Sequence, residues 1–321
     1  MKRYITRQTI TFLRNEYKYL VGWGAGRDEF FRRYNPAMYQ LDYMIDSKNC
    51  YFGDICGIKI SSEAILDGLK DRGRICFIIY PNAELEIIEQ IQQHVLDFDI
   101  IAARLIDCGD QPVSTGFSSD NEDIIIAHAL SKLGVENPYY VDIGVCHPVI
   151  RNNTYLFYER GYREGVLVEP NLDMCGLAEA YRGENTIVRA GACASESGIL
   201  KYYRHPLSTF AGHNTFSLEE AEKGGFADNY IEVPVYNINQ IMAENCRRNP
   251  DILDIDTEGM DYELLRVLDM EKYRAKIICT ESCMIREQMN KLMAEKGYIH
   301  FMDTLENSIY IARECMEMLI K

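Results

Sequence analysis

Short apolar runs alternate with longer amphipathic segments along most of the chain. The run at 74–80 has the length and composition of a buried strand, and at 83–95 the apolar residues recur every three or four positions, as on one face of a helix. The same alternation returns after residue 139. Strands that alternate with helices at this spacing predict an α/β protein built on parallel sheets.

The first hundred residues contain enough elements for a small domain. The pattern predicts helices at 1–16, from Asp28, at 62–69 and at 83–95, and strands at 17–21, 41–45, 57–60, 74–80 and 99–103. We therefore expect a small Rossmann-like parallel sheet at 1–107. The turn GWGAG at 22–26 has GxGxG spacing instead of the GxGxxG of dinucleotide sites. A nucleotide site and a scaffold without a ligand both stay open for this domain.

Residues 108–122, CGDQPVSTGFSSDNE, are rich in Gly, Ser, Pro and Asp, a composition typical of loops. This composition predicts an interdomain linker at 108–122 and a second domain at 123–321. The second domain opens with a predicted helix at 123–134, which Gly134 caps.

The second domain is organised around residues 139–171. An apolar run ends at Asp142 and Gly144, a helical segment at 154–160 follows, and a second run at 165–168 ends on Glu169. In an open parallel sheet, ligands lie beyond the carboxyl ends of the strands, and a glycine there allows a close approach of the backbone. Glu169 has the spacing of the acid that binds ribose hydroxyls in nucleotide-binding folds. The stretch therefore predicts a site for an adenosine-containing cofactor.

The later elements continue the alternation. We expect strands at 186–189, 199–203, 251–256, 276–280, 298–302 and 308–312, an edge strand at 232–235, and helices at 237–246, 260–268 and 284–296. The polar segment at 206–226 is longer than a usual connection, which indicates a binding insertion.

Four ordered motifs carry a family resemblance. They are DIG at 142–144, NNTYLFYERGYR at 152–163, VEPN at 168–171 and IDTEG at 255–259. Together they resemble the FkbM-type S-adenosylmethionine-dependent methyltransferases, from about residue 139 to 312. The resemblance implies a class I methyltransferase domain with a doubly wound seven-stranded sheet, mostly parallel with one reversed strand at its edge.

The resemblance also implies an activity. We expect S-adenosylmethionine as the cofactor and O-methylation of a saccharide or another small molecule, as in polysaccharide biosynthesis. Two alternatives stay open: a nucleotide-sugar oxidoreductase that uses the GWGAG turn, and a non-catalytic nucleotide-binding module.

Two residues are candidates for the proton transfer that a hydroxyl acceptor needs. Asp256 ends an apolar strand, where a carboxylate is costly without a partner, and it is the first choice for the base. His147, in the loop after the first strand, is the second choice, because histidine in general titrates near neutral pH, at about 6.5. His147 is either the base near the methyl group or a loop histidine bonded to the backbone.

The same reasoning assigns binding residues. For the cofactor we expect Asp142, Gly144, Asn153, Thr154, Glu169, Pro170, Asn171, Ala192, Cys193 and Glu258, and for the acceptor His213, Asn214 and Glu281. Asn153 or Thr154 would cap the helix that begins there, Glu258 would otherwise cap a helix, and Glu281 would otherwise pair with Arg286. Asp254 stands where relatives carry Lys or Ser, which adds an acid and leaves a divalent metal open, although no HxxE or HxxxH pattern is present.

Composition limits the partners. The net charge of −15 argues against nucleic acid and anionic membranes. Eleven cysteines without a CxxC pair are typical of a reducing cytosol. The first residues have no apolar h-region, and no run reaches the ~20 apolar residues of a membrane span. We expect a cytoplasmic protein, and the sequence leaves its oligomeric state open.

Overall fold

The computed structural model describes residues 2–25, 40–46, 48, 53–55, 57–69, 74–81, 83–107 and 116–319. The chain divides into two compact units, one formed by 1–114 with the short segment 207–209, the other by the remaining residues. The predicted helix from Asp28 and residues 108–115 of the predicted linker lie outside the described residues. Residues 116–122 belong to the second unit, and a helix begins at Glu122.

The first unit contains a parallel sheet that ends in one reversed strand. Its elements are β1 (Lys2–Tyr4), β2 (Gln8–Thr9), α1 (Ile10–Glu16), β3 (Tyr19–Trp23), β4 (Tyr43–Ile45), β5 (Asp54–Ile55), β6 (Ile58–Ser61), β7 (Ile75–Ile79), α2 (Glu84–His94), β8 (Phe98–Ala102) and β9 (Ile106–Asp107). The main sheet has the order β1-β8-β7-β3-β4-β6-β5, and β5 is antiparallel to β6. The helix predicted at 62–69 is a 3₁₀ segment, Glu63–Gly68.

The helix predicted at 1–16 is wrong in its first half. Lys2–Tyr4 form a strand beside β8, and α1 begins only at Ile10, where Thr9 caps it by accepting a hydrogen bond from the amide of Phe12. The strand is held by Arg3, whose Nε donates to buried Asp99 at 2.8 Å. This pairing joins residues 96 positions apart, so local periodicity carries no sign of it.

Packing accounts for the described glycines of the GWGAG turn. A Cβ on Gly22 would lie 2.6 Å from both Leu41 and Met44, and one on Gly24 would lie 2.5 Å from the ring of Pro81. Both glycines are therefore needed for contacts within the unit, without any bound nucleotide. Gly26 lies outside the described residues.

The second unit contains a larger mixed sheet. Its elements are α3 (Glu122–Lys132), β10 (Tyr140–Ile143), α4 (Tyr155–Glu159), β11 (Gly165–Val168), α5 (Leu172–Arg182), β12 (Thr186–Val188), β13 (Gly191–Cys193), β14 (Gly198–Tyr203), α6 (Leu218–Gly224), β15 (Tyr230–Asn237), α7 (Ile238–Asn245), β16 (Ile252–Ile255), α8 (Asp261–Val267), β17 (Ile277–Glu281), α9 (Arg286–Glu295), β18 (Tyr298–Asp303), β19 (Asn307–Ala312) and α10 (Arg313–Leu319). The order is β12-β11-β10-β16-β17-β19-β18, all parallel except β19. The predicted seven-stranded α/β sheet is confirmed.

Two strand positions differ from the prediction. The reversed strand β19 lies second from the edge, between β17 and β18. The strand predicted at the edge, β15, is the centre of a separate three-stranded sheet, β13-β15-β14. Hydropathy predicts that a strand exists, but its neighbours depend on pairing across the fold.

The register of the large sheet brings four strand ends together. Ile143 of β10 pairs with Val168 of β11 and with Ile255 of β16, which in turn pairs with Thr280 of β17. These strands are buried on both faces, as parallel strands between helix layers must be. The residues that follow each strand therefore share one edge of the sheet. Among the described helices, none has the length and apolar character to cross a membrane.

Candidate active site

Two cavities lie beyond these strand ends. The inner cavity is lined by Ile143, Gly144, Cys146, Val168, Glu169, Pro170, Gly191, Ala192, Tyr202, Ala211, Gly212, Asn214, Phe216, Asp256, Thr257 and Glu258. The outer cavity has a volume of about 890 Å³ and is lined by His205, His213, Thr215, Glu220, Lys223, Gly224, Phe226, Glu258, Gly259, Asp261, Tyr262, Glu281, Ser282, Cys283, Met284 and Ile285. A small-molecule site thus has two compartments that meet at a common wall.

The inner cavity is small, at about 70 Å³. Pockets for small molecules usually measure about 300–1,000 Å³. Part of the lining comes from the segment 211–216, with Ala211, Gly212, Asn214 and Phe216 facing the cavity. The inner cavity is therefore below the usual range, and its lining combines the strand ends of the large sheet with residues of β13, of β14 and of the segment 211–216.

Glu169 is the buried acid of the inner cavity. Its Oε2 accepts a hydrogen bond from the amide of Cys146 at 2.8 Å, and its Oε1 accepts one from the amide of Asn171 at 2.7 Å. Burial raises the pKa of Glu169 to about 7, although these two hydrogen bonds oppose the shift. A carboxylate oxygen can accept about two hydrogen bonds, so both oxygens keep capacity for a ligand hydroxyl.

Gly144 is required by the protein's own backbone. Its φ is +91°, and a Cβ there would lie 1.7 Å from the carbonyl oxygen of Asp256. The group that approaches Gly144 in the structure is the turn after β16, and the close approach of a ligand stays a prediction. Gly144 still lines the inner cavity, as expected of a cofactor-binding residue.

Three carboxylates meet where the cavities join. Asp256, Glu258 and Glu281 each offer an oxygen within 4.8 Å of the others. Burial, followed by the charge of Glu281, raises the pKa of Glu258 to about 8. Burial, followed by the charge of Asp261, raises the pKa of Glu281 to about 7 and that of Asp256 well above its ordinary value. This cluster of three acids retains protons near neutral pH, and the spacing of its oxygens would also suit one shared cation.

Asp142 lies beneath the site. Its Oδ2 accepts hydrogen bonds from Thr154 Oγ1 at 2.5 Å and Asn152 Nδ2 at 3.1 Å, and Arg182 Nη1 lies 3.8 Å away. Neither Asp142 nor Thr154 is among the described residues that line the two cavities. The structure therefore places Asp142 and Thr154 in the buried layer beneath the cavities, and not in the lining where contact with a cofactor is expected.

Thr154, one of the two expected residues, occupies the N-cap position of α4, but its side chain makes no capping hydrogen bond. The side chain of Asn152 accepts hydrogen bonds from the amides of Thr154 at 3.0 Å and Tyr155 at 2.7 Å. Asn153 instead donates its Nδ2 to Asp254 at 3.0 Å, within the buried layer. Neither Asn153 nor Asp254 lies among the described lining residues.

Of the other expected cofactor residues, some line the inner cavity and some do not. Pro170 and Ala192 line the inner cavity. Asn171 accepts a hydrogen bond from the amide of Asp173 and begins α5, and the thiol of Cys193 donates to the carbonyl of Ser195. The described lining includes neither Asn171 nor Cys193. Both side chains form hydrogen bonds with backbone groups instead.

His147 takes the position of a loop histidine. It is buried, and its Nδ1 accepts hydrogen bonds from the amides of Val149 and Ile150, both at 3.1 Å. The described lining of both cavities excludes it. These contacts fit the structural alternative and not the expected catalytic base. Nδ1 already accepts from two amides, and in the neutral ring the hydrogen then lies on Nε2, so neither nitrogen offers a free lone pair to a substrate.

Two of the three expected acceptor residues line the outer cavity, namely His213 and Glu281. Asn214 lines the inner one, and its Oδ1 accepts a hydrogen bond from the amide of His205 at 2.7 Å. Arg286, the alternative partner of Glu281, donates to the carbonyl oxygen of Thr304 at 2.6 Å.

Of the residues that divide the two cavities, the sequence predicted His213 and Asn214 as site residues but missed Thr215 and Phe216. Along 213–216, His213 and Thr215 face the outer cavity, whereas Asn214 and Phe216 face the inner one. This is the alternation of an extended segment, and Thr215 indeed bridges to Tyr203. Thr215 Oγ1 also donates to the carbonyl oxygen of Glu258 at 2.9 Å. The length of the polar segment at 206–226 indicated binding, but no local signal indicated this alternation.

The second unit has the architecture of a methyltransferase-like α/β fold, with seven strands and a cavity at the carboxyl ends of β10, β11 and β16. The family described as the methyltransferase FkbM domain matches residues 142–307, more than half of the chain. The chain belongs to this family and is a methyltransferase. Family membership implies S-adenosylmethionine as the methyl donor.

Two solved structures are similar to the chain. Methyltransferase FkbM from Methylobacillus flagellatus KT is 12% identical, with a TM-score of 0.33, and the match covers 94% of this chain and 92% of that one. A candidate RNA methyltransferase from Pyrococcus horikoshii is 12% identical, with a TM-score of 0.31 and coverage of 61% and 88%. No curated protein matches the chain. Both TM-scores are low, so the family assignment rests on the sequence match.

Proposed function

We propose that the protein transfers a methyl group from S-adenosylmethionine in the inner cavity to a hydroxyl group of a saccharide or another small molecule in the outer cavity. The observation that carries this proposal is the common wall at Glu258, which borders both cavities. Methyl transfer is an in-line displacement, so donor and acceptor must meet across such a wall.

The inner cavity offers suitable groups for the donor. Glu169 presents a buried carboxylate that can accept hydrogen bonds from ribose hydroxyls. Pro170, Ala192 and Phe216 provide apolar surface for the adenine ring. When bound, S-adenosylmethionine supplies a methyl group on a positively charged sulfur. A positive sulfur beside Asp256 and Glu258 favours the ionised form of these two acids, and the opposite charges then attract each other.

The outer cavity suits a neutral molecule with several hydroxyls. Phe226 and Tyr262 offer aromatic faces, and Asp261 and Glu281 offer hydrogen-bond acceptors. The ammonium of Lys223 is already engaged by Glu219 and Glu220, at 3.0 and 2.7 Å. This balance disfavours a phosphate-rich acceptor and accords with the net charge of −15.

A panel of acceptors tests the proposal. The full chain is incubated with methyl-labelled S-adenosylmethionine and neutral hexoses, 6-deoxyhexoses, nucleoside-diphosphate hexoses and macrolactone polyols. We expect products that gain one CH₂ unit on oxygen, identified by mass spectrometry and NMR. Methylation only on nitrogen or carbon, or no product from any panel member, would contradict O-methylation.

Changing Glu169 to Gln should weaken donor binding. Hydrogen bonds to a charged group contribute about 1.5–3 kcal/mol, so we expect the Kd for S-adenosylhomocysteine to rise about 10- to 150-fold. The neutral thioether is used because attraction between the sulfonium and the nearby acids then plays no part. Calorimetry measures both proteins, and Glu164→Gln, an exposed acid near the start of β11, is the matched control.

The wild-type affinity should also depend on pH. Since the pKa of Glu169 is about 7, its ionised fraction grows between pH 6 and 8, and the affinity for S-adenosylhomocysteine should grow with it. Glu169→Gln should lose the part of this dependence that Glu169 causes, while Glu258, whose pKa is about 8, still titrates in the inner cavity. A flat profile in the wild type would remove Glu169 from the binding site.

A further inference from the structure

We propose that Glu258 is the general base that removes the proton from the acceptor hydroxyl. This inference rests on the proposed function, and it assigns the proton to a residue that the sequence placed among the cofactor ligands. Of the described residues, Glu258 alone lines both cavities. Asp256 borders only the inner cavity and Glu281 only the outer one.

The backbone holds Glu258 at this wall. Its φ of +53° is in the left-handed region, which non-glycine residues adopt at a cost unless their surroundings hold them there. Thr215 supplies one such restraint, because its Oγ1 donates to the carbonyl oxygen of Glu258 at 2.9 Å. Thr215 is itself buried and borders the outer cavity. Thr215 is therefore a positioning residue, and Glu258 is the group that would touch the reacting atoms.

The charges around Glu258 favour a proton on it. Asp261, Glu281, Glu306 and Glu220 face it from α8, β17, the turn before β19 and α6, and burial adds to their effect. A carboxylate in such a place is a stronger base than an exposed one.

The step balances with the groups present. The acceptor oxygen forms a bond to the methyl carbon as the carbon–sulfur bond breaks, and S-adenosylhomocysteine leaves. The hydroxyl proton moves to the Glu258 carboxylate, which later releases it to solvent. The products are a neutral methyl ether, the neutral thioether and one proton.

The test uses the full chain and the panel member that the wild type methylates fastest. We expect Glu258→Gln to lower the single-turnover rate about 10²- to 10⁴-fold, with the Kd for S-adenosylhomocysteine within about tenfold of wild type. The matched control is Glu164→Gln, an exposed acid that borders neither cavity, and it should stay within about tenfold in rate. Thr215→Val should lower the rate without weakening donor binding, since it loses the restraint but keeps the side-chain volume.

Glu258→Gly keeps the test valid if the glutamine variant folds poorly. Glycine adopts the left-handed backbone without strain and removes the carboxylate. Added formate should then restore part of the rate in Glu258→Gly and have no such effect on wild type. A merely structural role for Glu258 would give no rescue by formate.

Three results decide the matter. No product from wild type with any panel member would overturn the proposed function itself. Product from wild type with an unimpaired Glu258→Gln would overturn only the present inference. Activity that is lost with EDTA, regained with Mg²⁺, and equally impaired in Asp256→Asn, Glu258→Gln and Glu281→Gln would assign the three acids to a metal, and Glu258 would no longer be the base.

Discussion

Replacing Gly144 with alanine should destabilise the second unit by about 2–6 kcal/mol and abolish binding of S-adenosylhomocysteine. The residue has φ +91°, where a side chain costs about 1–3 kcal/mol. Its Cβ would also overlap the carbonyl oxygen of Asp256 at 1.7 Å, and overpacking adds about 1–3 kcal/mol. The turn after β16 must then move, and it carries residues that line both cavities.

A matched control separates strain from overlap. Gly161 has nearly the same φ, +97°, but nothing lies within 4 Å of a Cβ built there. Gly161→Ala should therefore show only the cost of strain and keep donor binding. The measurements are urea unfolding followed by circular dichroism, hydrogen exchange of β10 and β16, and calorimetry. If both alanine variants lose the same stability, the approach of Asp256 is not the reason for the glycine.

Arg182→Met should destabilise the protein by about 3–5 kcal/mol, since it leaves Asp142 buried without a cation. Arg182 is fully buried, and its guanidinium donates to Asn152 Oδ1 at 3.1 Å and Thr154 Oγ1 at 3.0 Å. The substitution therefore removes hydrogen bonds to the residues at the start of α4 as well as the ion pair with Asp142. Arg189→Met, which removes a half-exposed pair with Glu179, should cost less than about 1 kcal/mol.

The effect of Arg182→Met should grow as pH rises. Burial raises the pKa of Asp142, and Arg182 opposes that shift. Without Arg182 the folded protein keeps a proton that the unfolded chain releases above about pH 3.9. Unfolding then releases protons, so the free energy of unfolding falls as pH rises toward the folded pKa. Adding Asp142→Asn should remove this dependence, and a loss that is equal at pH 5 and pH 8 would contradict the explanation.

Periodicity predicted which segments are strands and helices with good accuracy in the interior of both units. β7 and α2 lie within one residue of their predicted bounds, because continuous burial and a helical stripe are local properties. The predicted opening helix is wrong where a short strand depends on a distant partner. Lys2–Tyr4 show no regular apolar spacing, and they pair with Phe98–Ile100.

The sequence by itself determined that Gly144, Glu169 and Asp256 follow strands and that Glu281 lies at the end of one, and parallel strands must end at one edge. It also contained the family motifs. Only the tertiary structure decided which neighbouring side chains face the cavities. Asp142 and His147 are buried away from both cavities, whereas Thr215 and Glu258 lie at the wall between them. Strand positions follow from hydropathy along the chain. Loop conformation depends on contacts such as that of Thr215 with Glu258, 43 residues apart, which no local pattern encodes.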